Sequence, residues 1–459
     1  MTTMRRVHKS AAMTVISGMR GRITLIMLGI LAFLPSSAFA QEGGAIDTGD
    51  TAFILVATAL VLFMNIPGLA LFYAGLVRRK NVLSVLMQCF VLTAVMTVVW
   101  LVCGYSMAFS TAGMTEGQTN LNSFVGGFDL VMLKGVTADS VPDGLTIPTL
   151  LHFVFQMTFF IITPALMVGA FVERMKFSAV LWFTVLWNLI VYAPVCHMVW
   201  GGAGGYFADM GVQDFAGGIV VHITAGVGAL VACIMLGARK GYPTKQMMPH
   251  NLPMTVTGAA MLWVGWFGFN GGSALGANGG AASAIVVTQI SAAVATLMWM
   301  FLEWMKFGKP SMLGAATGSI AGLAAITPAS GTVGPIGALA IGATSGLVCW
   351  WASTVLKKKL GYDDSLDVFG VHGVGGFLGT VMLGVFMAPV FGGVGGEGFS
   401  ISKQVGVQLF AGVATAIYTA IATFVILKIV AGLVGLRVNE VEEEEGLDLA
   451  YHGEEAYNE

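Results

Sequence analysis

From Thr51 onward the chain is a succession of apolar segments long enough to be helices. They are centred near Phe63, Met96, Phe159, Leu189, Ala225, Met261, Thr288, Ile320, Ser345, Gly379 and Tyr418. Crossing about 30 Å of hydrocarbon takes about 20 apolar residues. Eleven such segments commit the chain to an all-α membrane protein with eleven transmembrane helices. The eighth, around Leu313 to Ile326, is the shortest. Composition agrees: 56% of the 459 residues are apolar, 10% are charged and the mean hydropathy is +0.83, against roughly 25% charged residues in soluble domains. A soluble enzyme is excluded. The net charge of −2 offers no basic field for nucleic acid.

The 62 glycines fall within the apolar runs, as in closely packed transmembrane helices. The strings Gly314–Gly318–Gly322, Gly342–Gly346 and Gly375–Gly379 mark faces where helices touch. Cys89, Cys103, Cys196, Cys233 and Cys349 lie far apart in apolar stretches, without metal-ligand spacing, and read as small buried hydrophobes.

Residues 1–40 place Arg5, Arg6, Lys9, Arg20 and Arg22 ahead of the apolar run Ile23 to Leu34 and then Ala38-Phe39-Ala40. That is the order of a cleaved signal peptide, with the mature chain starting near Gln41. An eleven-helix domain would then occupy 41–437 and an acidic tail 438–459. One set of alternate loops carries thirteen Lys and Arg: Arg78/Arg79/Lys80, Arg174/Lys176, Arg239/Lys240/Lys245, Lys306/Lys309 and Lys357/Lys358/Lys359. The intervening loops hold two, Lys134 and Lys403. Cytoplasmic loops carry the excess of positive charge, so the amino terminus reads as periplasmic and the carboxyl terminus as cytoplasmic, in a bacterial inner membrane. Eleven spans divide as five, five and one, and two halves of five necessarily run in opposite directions, which is an inverted repeat. His222 in the fifth span and His372 in the tenth, preceded by Asp214 and Asp367, occupy corresponding places.

Ionisable groups at membrane depth are costly and mark pathways or sites. His152 and His197 lie near segment ends and read as interfacial, hydrogen-bonded side chains. His222 (GGIVVHITAGVG) and His372 (DVFGVHGVGGFLG) have wholly apolar or glycine surroundings, so each is the simplest partner for the other. Whether that pair is functional or only a structural hydrogen bond, the residues leave open. Taken alone, Trp200 and Trp266 read as interfacial aromatics, Phe159 and Phe269 as packing, Ser273 as a turn hydroxyl and Asp214 as a helix cap. The tail VNEVEEEEGLDLAYHGEEAYNE holds nine acids and no Lys or Arg, so it belongs in water, either solvated or docked.

The strings ALFYAGLVRRKNVLS, ERMKFSAV, HMVWGG, DFAGGIVVHI, PHNLPM, WFGFNGGSA, DVFGVHG and EGLDLAYHGEEAY, in this order from about Asp50 to the carboxyl terminus, resemble the ammonium transporters of the Amt/Mep/Rh superfamily. The resemblance implies a homotrimer of eleven-helix subunits, each with its own narrow pore. It implies that Trp200 and Ser273, with Phe159, recruit ammonium at an outer site by cation–π attraction and a hydroxyl acceptor. Phe159 and Phe269 would form a stacked aromatic gate below. His222 and His372 would line an apolar lumen beside Trp266, and Asp214 would be a buried, architectural carboxylate. The tail, with the cytoplasmic loops, would be a docking surface for a PII-type signal protein. No cofactor or metal is implied, and membrane lipid surrounds the subunit.

This pattern suits uptake in which ammonium gives up its proton, ammonia crosses the lumen, and the proton crosses separately. The alternatives are an electroneutral channel for ammonia or carbon dioxide, and an ammonium sensor that signals through its tail.

Overall fold

The computed structural model describes residues 45–457; the signal-peptide reading of 1–40 lies outside the described residues. Among the described residues, eleven helices are long and apolar enough to span a membrane: α1 (Thr48–Leu76), α2 (Arg79–Phe109), α3 (Thr149–Phe171), α4 (Phe177–Trp200), α5 (Gly218–Leu236), α6 (Leu252–Gly271), α7 (Gly279–Phe307), α8 (Met312–Ala329), α9 (Pro335–Leu360), α10 (Phe369–Phe386) and α11 (Ile401–Val434). Their number and centres follow the hydropathy of the sequence. α8, the shortest by sequence, shares its 18 residues with α10. The described residues contain no strand, only two isolated bridges.

Small residues set how closely these helices approach. Gly318 and Gly322 on α8 face Trp299, Ala295 and Ser291 on α7; Gly342 and Gly346 on α9 face the same stretch of α7. A Cβ on Gly379 would come 1.8 Å from the Ala325 carbonyl oxygen. The three glycine strings are therefore contact faces, where backbones meet without side chains between them. α3 is buried over 94% of its most apolar window and α11 over only 28%. The first is the centre of the subunit and the second lies along its outside.

α5 and α10 cross reciprocally at the middle. Gly226, four residues after His222, lies against Gly373 and the backbone of His372; Gly376, four residues after His372, lies against the Cβ of His222 and the Gly218 carbonyl. Each helix also opens with a wide π-type turn that carries its histidine, Gly218–Ile223 and Phe369–Gly373. An exchange of equivalent contacts of this kind is what two related halves produce when they meet at their fifth helices.

At the end bearing most of the arginine and lysine, Glu173 is buried at φ 71° and accepts from Arg78 and from Arg239 at 3.0 Å, while Asp363 accepts from Arg239 at 2.8 Å. The tail packs onto this end rather than standing in solvent. A short helix α12 (Glu440–Glu445) is capped by Asn439. Glu443 bonds Arg437 at 2.8 Å and the backbone N–H of Lys240 at 2.7 Å. Asp448 accepts from the N–H groups of Leu83 and Ser84 at 3.0 and 2.7 Å, in the first turns of α2, where the helix dipole favours a negative charge. Glu443 and Asp448 have thus found an arginine and backbone amides, and Glu440 and Glu444 pair with Lys240.

Candidate functional site

The chain reaches α5 through Gly217, whose φ of 117° is a left-handed conformation suited to glycine. This turn aims the first amides of α5 back at Asp214, 6% exposed. One carboxylate oxygen accepts from Gly217 and Gly218 at 2.9 and 2.6 Å, the other from Ile219 and Val220 at 2.7 and 3.0 Å. All four donors that a helix leaves unpaired at its start are satisfied by one side chain. Burial pushes this carboxyl up to about 6, against the opposing pull of the four N–H groups.

The counterpart on α10 is Asp364, not Asp367. Asp364 is fully buried and accepts from Phe369 N–H at 2.7 Å, and burial pushes it up to about 6 against the nearby Lys357 charge. Asp367, at φ 62°, turns away to pair with the Lys357 ammonium at 2.6 Å. The signal was present as spacing: 214 to 222 equals 364 to 372, and that register is what the two halves share.

The caps hold His222 and His372, 1% and 4% exposed, side by side with their Nδ1 atoms 3.2 Å apart. The ring centroids are 5.2 Å apart and the planes 19° from parallel. A hydrogen bond between two Nδ1 atoms carries one proton. One ring is therefore the Nδ1–H tautomer with a bare Nε2, and the other is the Nε2–H tautomer. Their outward nitrogens consist of one acceptor and one donor, and His222 Nε2 has no partner among the described residues. The His222 ring also lies nearly parallel to Trp266 at 5.6 Å and to Phe269 at 6.1 Å. The Trp266 indole N–H is tied to the Thr327 hydroxyl at 2.9 Å. Nothing in the sequence singled out Thr327, which reads only as a helix end.

A narrow cavity runs along this face, with about 10 Å³ open to the centre of a water-sized sphere. That is about one small molecule. His222, His372, Trp266 and Phe269 line it with aliphatic side chains such as Met64, Ile162, Leu166, Leu262 and Ile320, and none of its lining residues carries a fixed charge. At the end away from the basic loops, Phe159 and Phe269, each 1% exposed, close over the cavity with centroids 4.5 Å apart. Their planes are tilted by 49° rather than stacked. Phe159 in turn meets the Trp200 ring edge-on at 5.8 Å. The Trp200 N–H is committed to the Asp214 carbonyl at 2.7 Å. Ser273 is partly exposed and its hydroxyl bonds the Phe269 carbonyl at 2.8 Å. Trp200, Phe159, Phe269, Trp266, His222 and His372 thus form one continuous run of rings. His152 and His197 stand outside it, bonded to Tyr105 and to the carbonyls of Ala108 and Asn122.

Known proteins share this arrangement of chain. The profile of the Ammonium Transporter Family matches residues 52–457. An ammonium transporter of Aquifex aeolicus is 47% identical over 430 residues, covering 94% of this chain and 98% of its own. One of Bacillus subtilis is 46% identical over 411 residues, covering 89% and 98%. Among solved structures, Saccharomyces cerevisiae Mep2 shares 36% identity with a TM-score of 0.79, covering 90% of this chain and 92% of its own.

Proposed function

The chain belongs to the ammonium transporter family, and from that premise we propose that it carries ammonium inward across the bacterial inner membrane as ammonia and a proton that part company before ammonia enters the lumen. Trp200 and Ser273, with Phe159, recruit the cation outside. The Phe159–Phe269 pair admits ammonia, and the imidazoles of His222 and His372 offer it one donor and one acceptor. The basic loops and the packed tail face the cytoplasm, as the distribution of positive charge supports. The subunit works in a homotrimer, and a PII-type signal protein docks at the cytoplasmic end; both readings rest on the family resemblance.

The observation that carries the mechanism is the lumen itself, an apolar slot with two imidazoles and no fixed charge along it. Bringing a bare cation into such a slot costs on the order of 10 kcal/mol or more. Ammonium is a somewhat stronger acid than a lysine ammonium, so giving up its proton near neutral pH costs only about 3 to 4.5 kcal/mol. Deprotonation is the cheaper route. The charge captured outside is then delivered as a proton moving separately, which makes uptake electrogenic.

The test is uptake by liposomes containing the purified protein, under an inward ammonium gradient, with and without an imposed membrane potential. Uptake driven by an inside-negative potential is expected. Uptake indifferent to potential would leave an electroneutral ammonia channel, and no uptake above protein-free liposomes would overturn the assignment.

A further inference from the structure

Behind the lumen wall, where α1 and α4 each pack against α2, two buried amides have spent their N–H groups and kept bare oxygens. Asn65, 1% exposed, donates to the Thr93 hydroxyl at 2.7 Å and to the Cys89 carbonyl at 3.3 Å. Asn188, fully buried, donates to the Phe160 carbonyl at 2.7 Å and to Met96 Sδ at 3.0 Å. The Oδ1 of each has no partner among the described residues. Turning the amides over does not help. Thr93 already gives its own proton to the Cys89 carbonyl at 3.0 Å, so a turned Asn65 would set oxygen against oxygen, and a turned Asn188 would do the same against Phe160 O.

The two amides lie along the same face of α2. Asn65 meets α2 at Cys89 and Thr93 and Asn188 meets it at Met96, one face of one helix, and the last two contacts are three residues or about 4.5 Å apart along the axis. Both amides sit where the helical ladder widens. Asn65 lies in the broken stretch Met64–Leu69 of α1, with Ile66 at φ −128° and ψ 108°, and Asn188 opens the wide turn Asn188–Tyr192 of α4. The Tyr192 hydroxyl, one turn further along α4, also lacks an oxygen or nitrogen partner. Met64 lines the lumen on one side of the α1 break while Asn65 faces this seam.

We infer that the α1–α2–α4 seam is a binding site for buried water, separate from the lumen, in which water hydrogens saturate Asn65 Oδ1 and Asn188 Oδ1. The guest must be a donor, because the open groups are carbonyl-type acceptors. It is neutral, because the side chains and carbonyls that bond either amide carry no charge to balance a cation. Broken helical ladders at membrane depth are tolerated where water or side chains complete them. The water braces the α1 break from behind, on the side opposite the histidines.

Pulsed X-ray radiolysis of the purified full-length protein tests this, since radicals born from a bound water oxidise the side chain beside it, and the methionine thioether is a ready target. Met96 and Met167 are both fully shielded from bulk solvent. Met96 touches Asn188, whereas Met167 packs against Gly228. Met96 should oxidise several-fold faster than Met167, and Asn188→Leu or Asn65→Leu should bring the two rates together. Equal rates in the wild-type protein would overturn the site, with no variant needed. An unchanged excess at Met96 in a folded Asn188→Leu protein would overturn the assignment of its oxygen as a water ligand.

Discussion

Asp214→Asn separates holding the fold from placing the histidine. An asparagine keeps one oxygen and so can accept from two of the four amides at the start of α5, while its NH2 group faces the other two N–H groups. Hydrogen bonds to a charged acceptor contribute about 1.5 to 3 kcal/mol each, so losing two costs about 3 to 6 kcal/mol. The same substitution removes a buried charge. The rise of the carboxyl from an ordinary 3.8 to about 6 corresponds to about 3 kcal/mol that the fold spends at neutral pH to keep Asp214 ionised. Because that figure is already net of the four hydrogen bonds, the desolvation relieved by removing the charge is larger still and offsets their loss, so stability should change by no more than about 3 kcal/mol. Transport should suffer more, because His222 rides on the wide turn these amides begin, and a displacement of about 1 Å can cost roughly 100-fold in rate. Thermal unfolding in detergent and initial ammonium uptake in liposomes measure the two effects. A variant with wild-type uptake, or one that loses uptake only because it no longer folds, would refute the reasoning.

Because the folded-state value for Asp214 lies above the ordinary one, its burden on stability is complete above pH 6 and fades as pH falls toward 4. Its grip on α5 weakens over the same interval. Uptake at a fixed ammonium concentration should therefore decline below an external pH of about 6, and Asp214→Asn should remove that step. Glu173 behaves oppositely: burial alone would raise it, but Arg239 and Arg78 hold it below 4.5. Its stabilisation is full above pH 4.5 and is lost as pH falls through the lower folded value. Glu173→Gln, which leaves buried guanidinium groups short of a partner, should cost about 3 to 5 kcal/mol, visible as a lowered melting temperature at pH 7. Thr327→Val leaves the Trp266 N–H buried and unpaired, a cost of about 1 to 3 kcal/mol, and should slow uptake by loosening the ring beside His222. His222→Ala or His372→Ala should impair uptake or ion selectivity while thermal unfolding still shows a folded protein; unchanged transport in both would reduce the pair to structure.

Much of the fold was legible because the membrane simplifies the rules. Continuous apolar runs gave eleven helices with their centres, and glycine strings gave their contact faces, since neither depends on distant residues. The meeting of His222 and His372 was legible through a negative, the lack of any other partner in their own segments. Asp364 was missed in favour of Asp367 because proximity to the helix start outweighed register, whereas the backbone at Asp367 turns its carboxylate toward Lys357. Thr327 gave no signal, because a hydroxyl that anchors an indole from another helix has no local pattern. The tail's docking was undecidable from its charge alone, because acids that pair with arginines and helix amides leave the same composition as acids in water.

The central claim is that no intact cation passes the slot between the imidazoles, and that charge crosses only as a proton taken from a species able to give one up. Currents from the purified protein on a solid-supported membrane test it, on addition of ammonium and then of potassium, which has no proton to lose. The account predicts a current with ammonium and none with potassium. A potassium current of comparable size, or ammonium uptake at full rate with no current, would contradict it.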